Sequence, residues 1–171
     1  MYKRQLFSKL ELTDLENLSS QLGALLLENK MYFTCAESCT GGLLSQSIVS
    51  VAGSSAWFGC SFITYSNSSK HKILGVTKES LKSFGAVSEE VVGEMVTGAL
   101  SESRANLGVA ISGIAGPGGG SSERPVGTVC IAWKLNEGAE IKETFLFEGN
   151  RNEVRYRTVL KALEGAINLL N

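Results

Sequence analysis

The sequence has few of the residues that most metal sites and many hydrolytic sites use. Its 171 residues contain one histidine, His71, and four cysteines that form no CxxC pair. Structural zinc sites need four Cys or His ligands, commonly from closely spaced pairs, so the chain is poorly supplied for one. We therefore expect no metal. If a serine acts as a nucleophile, we expect a group other than imidazole to accept its proton.

The sequence also lacks an excess of either charge and any long apolar run. Sixteen Lys and Arg residues nearly balance 17 Asp and Glu residues, which gives no general reason to expect nucleic acid or an anionic membrane as a partner. No apolar run approaches the ~20 residues that cross a bilayer. The stretch "MYKRQLFSKLELTDLENL" is charged throughout, unlike a secretory signal, so we expect a cytoplasmic setting with free thiols. This composition favours small-molecule chemistry and leaves homo-oligomerisation open.

Proline is scarce, and both prolines fall in the stretch "IAGPGGGSSERPVG", which predicts a long irregular loop. Elsewhere the apolar residues follow helical or strand periods. Helices are predicted over residues 13–29, 40–51, 66–75, 77–84, from 88 to about 100, and 150–170. Strands are predicted at "YFTCA", "SFITY", "LGVAISG", "TVCIAWKL" and "IKETFLFEG", the last two as a hairpin. Strands that alternate with helices and then form a hairpin predict an α/β fold, a three-layer α/β/α domain with a mixed, partly parallel sheet. At this length we expect one domain over residues 1–171.

Three polar or glycine-rich segments each follow a predicted strand. They are "ESCTGG" after the first strand, "YSNSSK" after the second and "SGIAGPGGG" after the third. In sheets of this kind ligands bind at the carboxyl ends of the strands. We therefore expect the three segments to meet at one edge of the sheet.

Ser38, at the turn between a predicted strand and a helix, has two interpretations. Serine and threonine are favoured at helix starts, so Ser38 and Thr40 can simply cap the helix. Ser38 can instead be a nucleophile on a sharp turn whose amides stabilise an oxyanion, although the GxSxG pattern is absent. Ser55 is a second candidate nucleophile. Cys39 is a weak one because nothing nearby in the sequence supplies a histidine partner.

Lys70 is the candidate base, with an ordinary surface lysine as the alternative. A lysine acts as a base only if desolvation or a neighbouring cation lowers its pKa. Arg151 can be that cation or can hold an anionic substrate group, and Tyr65 can orient Lys70 or the ligand or belong to the core or rim. His71 is a minor rival for the base.

The glycine run that includes Gly116 can cradle a phosphate through its backbone amides, or it can simply make the loop flexible. Ser112, at the end of the preceding strand, points to the same edge of the sheet.

Six segments, in the order in which they occur, closely resemble the CinA carboxy-terminal domain family over about residues 13–170. They are "AESCTGG", "GSSAWF", "FITYSNSSK", "GAVSEEVV", "ISGIAGPGGGSSERPVGT" and "EGNR". The resemblance implies hydrolysis of the carboxamide of nicotinamide mononucleotide to nicotinic acid mononucleotide and ammonia. It implies a serine/lysine mechanism in pyridine-nucleotide salvage, with no metal or other cofactor and a mononucleotide as partner.

The resemblance also implies the site residues. We expect the catalytic residues to be Ser38, Lys70, Tyr65 and Ser55. We expect the substrate to be bound by Ser112, Gly113, Gly116, Thr40, Gly41 and Arg151. The sequence departs from the family pattern at two places. "NSS" stands before Lys70, where an acidic residue and alanine are common, and Ser112 stands where threonine is frequent.

Two other function classes stay open. A nucleotide-binding module without chemistry would bind a mononucleotide and release no ammonia. An interaction protein associated with competence or DNA damage would do neither. The presence of both Ser38 and Lys70 favours the enzyme.

Overall fold

The computed structural model describes residues 9–171, with side chains from residue 12 onward. Residues 1–8 of the predicted domain lie outside the described residues. The strands are β1 (Phe33–Glu37), β2 (Phe58–Ile63), β3 (Leu107–Gly113), β4 (Thr128–Leu135) and β5 (Glu140–Leu146). The helices are α1 (Lys9–Glu28), α2 (Leu43–Val49), α3 (Asn67–Leu74), α4 (Lys78–Ser83), α5 (Glu89–Ser103) and α6 (Arg151–Leu170).

The strands form one mixed sheet in the order β2-β1-β3-β4-β5. β1 pairs in parallel with both β2 and β3, whereas β4 is antiparallel to β3 and β5. The expected partly parallel sheet with a terminal hairpin is confirmed. Because β1 and β3 are central and covered on both faces, β1 and the first six residues of β3 are buried.

Helices cover both faces of this sheet. α1, α2 and α6 pack together on one face, with Leu22, Leu44 and Leu163 in their shared core. α5 covers the other face, with Met95 in a second core, and α3 and α4 pack against α5. The predicted three-layer α/β/α architecture is confirmed.

The predicted bounds agree best where apolar runs end in turn residues. β3 and β4 occupy the predicted residues, and Thr77 and Ser88 cap α4 and α5 as expected. α1 begins at Lys9, four residues before the predicted start. β2 begins at Phe58 rather than residue 61, because main-chain pairing with β1 recruits small residues that resemble a loop in the sequence.

α3 is held close to α5 by a glycine. A Cβ atom on Gly98 would lie 2.0 Å from the carbonyl oxygen of Leu74 at the end of α3, far inside van der Waals contact. Only glycine permits this approach, which fixes α3 beside the sheet. None of the helices in residues 9–171 is long and apolar enough to span a membrane.

Candidate active site

The carboxyl ends of β1, β2 and β3 open onto one cleft of about 300 Å³, at the lower end of the range of small-molecule sites. The three segments that follow these strands meet there, as the topology predicts. Seven of the predicted site residues line the cleft: Ser38, Tyr65, Lys70, Ser112, Gly113, Gly116 and Arg151.

Ser38 and Lys70 are in direct contact within this cleft. The Lys70 Nζ donates to Ser38 Oγ at 2.9 Å and to the carbonyl oxygen of Thr64 at 2.8 Å. Ser38 is 8% exposed and Lys70 only 1%. The two residues are 32 positions apart in the chain, so the parallel pairing of β1 with β2 brings them together.

Local structure fixes the position of the lysine. Ser66 caps the start of α3, and its side chain and that of Ser69 form a reciprocal capping box. Lys70 follows in the first turn of this helix, and its backbone N–H donates to the Ser66 carbonyl oxygen. The capped end of α3 therefore fixes the position from which the Lys70 side chain reaches Ser38.

Burial lowers the pKa of Lys70 from its ordinary value of 10.5. Taking an ammonium group out of water disfavours its charged form, and this effect exceeds the opposing influence of Cys39. No carboxylate in residues 12–171 forms an ion pair with Lys70. A neutral amine that contacts a serine hydroxyl can accept its proton.

The turn that carries Ser38 is organised by Glu37, a residue to which we assigned no role from the sequence. Its fully buried carboxylate accepts from the backbone N–H groups of Gly42, Leu44 and Ser45, and from the Ser45 hydroxyl. The start of α2 is thus capped by the protein's own carboxylate. These amides are not free to bind a substrate phosphate.

Two amides next to Ser38 bond no other residue. Within the part of the chain that the structure describes, the backbone N–H groups of Cys39 and Thr40 donate to no other residue, whereas that of Gly41 donates to the Ser38 carbonyl oxygen. An amide directly after a nucleophile is a recurring oxyanion donor in enzymes with a strand-to-helix turn. The turn therefore offers candidate donors at the correct end of the cleft.

Arg155 holds the same turn from outside, and we did not predict it. Its guanidinium donates to the Thr40 carbonyl oxygen through Nε at 3.2 Å and through Nη2 at 2.7 Å. Arg155 lies one helical turn after Arg151 on α6, and this i,i+4 spacing is the signal that the sequence offered. Thr40 is fully buried and, like Gly41, does not line the cleft. Both residues help to form the turn, and their predicted contact with substrate stays a prediction.

Arg151 and Tyr65 form the open end of the cleft, where both side chains are exposed. Arg151 Nη1 donates to the Gly116 carbonyl oxygen at 2.7 Å, and Nη2 donates to the Tyr65 hydroxyl at 3.2 Å. Tyr65 is 64% exposed, so it belongs to the rim and not to the core. No carboxylate among the described residues pairs with Arg151, and its charge is available to an anion.

The glycine-rich loop supplies the remaining wall. Gly116 has φ +84°, and a Cβ atom there would lie 2.5 Å from Val126 Cγ1, so any other residue would be strained at this bend. Gly118 and Gly119 line the cleft beside it. At the end of β3, Ser112 is buried and also lines the cleft.

Ser55 is not brought to this cleft. It lies in a 3-10 turn, Ser54–Ala56, before the start of β2, whereas Ser38 follows the end of β1. Phe58 pairs with Phe33 and Ile63 with Glu37. Ser55 therefore lies beyond the amino ends of β1 and β2, whereas Ser38 lies beyond their carboxyl ends. The five strand residues between these two ends span roughly 15 Å. Within one copy of the chain, the structure does not bring Ser55 to Ser38, so it does not support Ser55 as the nucleophile of this cleft or as a partner of Ser38.

The structure also argues against two minor alternatives, His71 as the base and Cys39 as the nucleophile. The His71 Nδ1 is within 2.8 Å of the Val76 carbonyl oxygen, so this ring nitrogen is used at the end of α3. Burial raises the pKa of the Cys39 thiol to about 12, which keeps it protonated and unreactive.

Comparison with known proteins shows which chains this one is similar to. A curated relative, the nicotinamide-nucleotide amidohydrolase PncC of Enterobacter agglomerans, is 46% identical over 90% of this chain and 93% of that protein. The PncC protein of Escherichia coli K12 is 48% identical over 89% and 92%. A crystal structure described as a competence/damage inducible protein from Agrobacterium tumefaciens has a TM-score of 0.91 at 42% identity, covering 98% of this chain and 99% of the other.

The family assignment follows from the extent of the match. The sequence model of the CinA C-terminal domain matches residues 15–170, a span that includes every element from β1 to α6 and all of the cleft residues. With close relatives over nine-tenths of its length and a shared architecture, the chain belongs to the CinA C-terminal domain family.

Proposed function

We propose that this protein hydrolyses the carboxamide of nicotinamide mononucleotide, with Ser38 as the nucleophile and Lys70 as the base. The observation that carries the proposal is the contact of 2.9 Å between Ser38 Oγ and Lys70 Nζ in a buried setting. The printed names of the amidohydrolase relatives support the choice of substrate. Nicotinic acid mononucleotide and ammonia would be the products.

The first chemical step would use the two acceptors around Lys70. The Thr64 carbonyl oxygen can only accept, so an N–H of the amine stays directed at it. In the neutral lysine, the nitrogen lone pair faces Ser38 and takes the hydroxyl proton as Oγ attacks the amide carbon. The bond between Oγ and carbon forms, the carbon–oxygen double bond becomes a single bond to an oxyanion, and the proton resides on Nζ.

The second step would return this proton. The ammonium of Lys70 donates it to the departing nitrogen, the bond between carbon and nitrogen breaks, and ammonia leaves an acyl ester on Ser38. Water, deprotonated by the regenerated amine, then hydrolyses the ester. The backbone amides of Cys39 and Thr40, which donate to no other residue among those described, are the candidate donors for the oxyanion, a contribution that is often large.

The phosphate would bind at the open end of the cleft. The Arg151 guanidinium carries an uncompensated charge beside the backbone of the glycine-rich loop, and guanidinium matches the geometry of phosphate oxygens. The nucleotide would then extend from a polar rim to the buried pair. This reaction would place the protein in pyridine-nucleotide salvage.

An ammonia-release assay with nicotinamide mononucleotide tests the proposal. We expect release by the wild type, stoichiometric with nicotinic acid mononucleotide, and none above background by Ser38→Ala. Ser50→Ala is a matched control, because Ser50 is an exposed serine after α2 that bonds only Gln46.

The outcome also separates the other function classes. Tight binding of the mononucleotide without ammonia would indicate a binding module. Neither binding nor release would favour an interaction protein. Either result would contradict the proposed reaction.

A further inference from the structure

A second cleft, of about 560 Å³, lies between α3 and α4. This volume is within the range of small-molecule sites. Three exposed lysines line it, Lys72 from α3 and Lys78 and Lys82 from α4. Lys78 and Lys82 are spaced i,i+4, so both lie on the same side of their helix. The proposed reaction assigns no role to any of the three.

No carboxylate among the described residues offsets this charge at the cleft. The lining contains no Asp or Glu, and none of the three lysines forms an ion pair with a carboxylate of residues 12–171. Glu79 of α4 does not line the cleft. Glu94 of α5 accepts from the backbone N–H of Thr77 and from the Ser80 hydroxyl at the start of α4. Three like charges that share one cleft repel one another, and a bound anion would relieve this repulsion.

The other groups in the lining suit a ligand larger than a single ion. Asn67 and Ser68 of α3 supply an amide and a hydroxyl, and the half-buried Leu81 of α4 supplies an apolar surface. The His71 ring is held in the wall because its Nδ1 donates to the Val76 carbonyl oxygen, an atom that can only accept, at 2.8 Å. The cleft therefore combines positive charge with polar and apolar contacts.

The surroundings of the cleft favour a small anion over a nucleic acid. Between residues 31 and 69 the one charged residue is Glu37, which is fully buried. On the other side, α5 packs against both α3 and α4 and carries four glutamates, Glu89, Glu90, Glu94 and Glu102. A nucleic acid binds along an extended basic surface, and neither of these neighbouring segments extends the positive charge of the cleft.

We propose that the cleft between α3 and α4 binds a small anion with two or more phosphate groups, contacted by Lys72, Lys78 and Lys82. A single phosphate monoester carries about 1.5 to 2 negative charges at pH 7, fewer than the three positive charges of the lysines. A chain of phosphates also reaches lysines on both helices. The site is distinct from the cleft that contains Ser38, although Asn67 lines both.

Isothermal titration calorimetry of the full chain with inorganic tripolyphosphate, in the absence of added metal, tests the site. We expect binding that weakens as the salt concentration rises, because contacts between exposed charges are screened. Inorganic monophosphate should bind about tenfold more weakly or less, since it engages fewer of the lysines. Adenosine triphosphate carries the same phosphate chain and should compete with tripolyphosphate. Its affinity relative to tripolyphosphate distinguishes a nucleotide from an inorganic ligand.

Charge variants locate the bound anion. Ser68→Glu adds a carboxylate to the lining, and Lys78→Glu reverses a charge. Both positions are in the first turn of a helix, where an acidic residue is compatible with the helix dipole. Each variant should keep the far-UV circular dichroism of the wild type and should bind tripolyphosphate roughly tenfold more weakly. Lys82→Gln, which removes a charge without reversing it, should have a smaller effect.

Two control variants should bind tripolyphosphate as the wild type does. Lys30→Glu makes the same change of net charge as Lys78→Glu, at an exposed lysine after α1 that lines neither cleft. Arg151→Ala removes a cation from the cleft that contains Ser38.

Three results would overturn the proposed site. One is the absence of binding by the wild type, and another is an equal loss in Lys30→Glu and Lys78→Glu, since net charge alone would then explain the binding. A loss confined to Arg151→Ala would place the anion in the other cleft. A single-stranded oligonucleotide of about ten nucleotides that binds more tightly than tripolyphosphate, and whose binding Lys78→Glu weakens, would replace the small anion with a nucleic acid. These measurements detect binding alone, so their outcome does not depend on whether the protein hydrolyses nicotinamide mononucleotide.

Discussion

The two ends of the cleft are built in opposite ways. At one end Ser38 and Lys70 are buried, and desolvation lowers the pKa of the lysine. At the other end Arg151 and Tyr65 are exposed and bond each other and the glycine-rich loop. Burial tunes reactivity, whereas exposure keeps a charge accessible to a substrate. Substitutions at the two ends should therefore affect different kinetic constants.

Lys70→Met should have the largest effect because it removes the base and keeps the volume of the side chain. We expect kcat to fall by about 10²–10⁴-fold, the usual contribution of a positioned general base. KM should change little, since the rim that would bind the phosphate is untouched. Steady-state kinetics with nicotinamide mononucleotide measure both constants, and full activity in Lys70→Met would remove the lysine from the chemistry.

The pH dependence should reflect the same group. Because the pKa of Lys70 is lowered below 10.5, kcat/KM should rise with pH until the lysine is neutral and then level off. The free energy of unfolding should also rise with pH. The unfolded chain binds more protons than the native one between the lowered pKa and 10.5, so Lys70 makes the free energy of unfolding rise with pH in that window.

Denaturant unfolding across this pH range would measure the contribution of Lys70. The rise that it causes should be absent from Lys70→Met. An identical pH dependence of stability in the variant and the wild type would contradict the lowered pKa.

Arg151→Ala should act mainly on substrate capture. The loss of a charge-assisted contact to phosphate is worth about 1.5–3 kcal/mol, which corresponds to a decrease of roughly 10- to 150-fold in kcat/KM. The change should appear mostly in KM, and Arg151→Lys should recover part of it. If kcat falls while KM is unchanged, Arg151 acts on the chemical step, and the assignment of substrate capture to the exposed end of the cleft is wrong.

Tyr65→Phe should have the smallest effect. It removes one hydrogen bond, that from Arg151 Nη2 to the phenolic oxygen, and a bond of this kind contributes about 0.5–1.5 kcal/mol. KM should rise modestly and kcat should change little. A loss of kcat comparable to that of Lys70→Met would instead assign Tyr65 to the buried end.

The sequence predicts what depends on local pattern and on sheet topology. The apolar runs of β3 and β4 end in turn residues, and their bounds agree with the structure. The parallel arrangement of the first three strands predicts that the segments that contain Ser38, Lys70 and Ser112 meet. Their side-chain contacts do not follow from pattern, because the 2.9 Å contact also depends on how closely α3 approaches α5 at Gly98.

The residues that we misassigned or missed depend on side-chain contacts and strand register that no local pattern in the sequence predicts. In the sequence, Glu37 is only one residue of a motif. The structure shows that its carboxylate caps α2. The bond from Arg155 to Thr40 joins positions 115 apart in the chain. Ser55 was a second candidate nucleophile from the sequence and was grouped with Ser38 by the resemblance, and strand register separates the two residues.

The most direct test of the account is to identify the residue that carries the acyl group. The wild type would be incubated with a slowly deacylating analogue of nicotinamide mononucleotide, quenched in acid, digested and mapped by tandem mass spectrometry. The account predicts an ester on Ser38, lost in Ser38→Ala and retained in Ser55→Ala. An adduct on Cys39 or Ser55, or complete turnover of nicotinamide mononucleotide by Ser38→Ala, would contradict it.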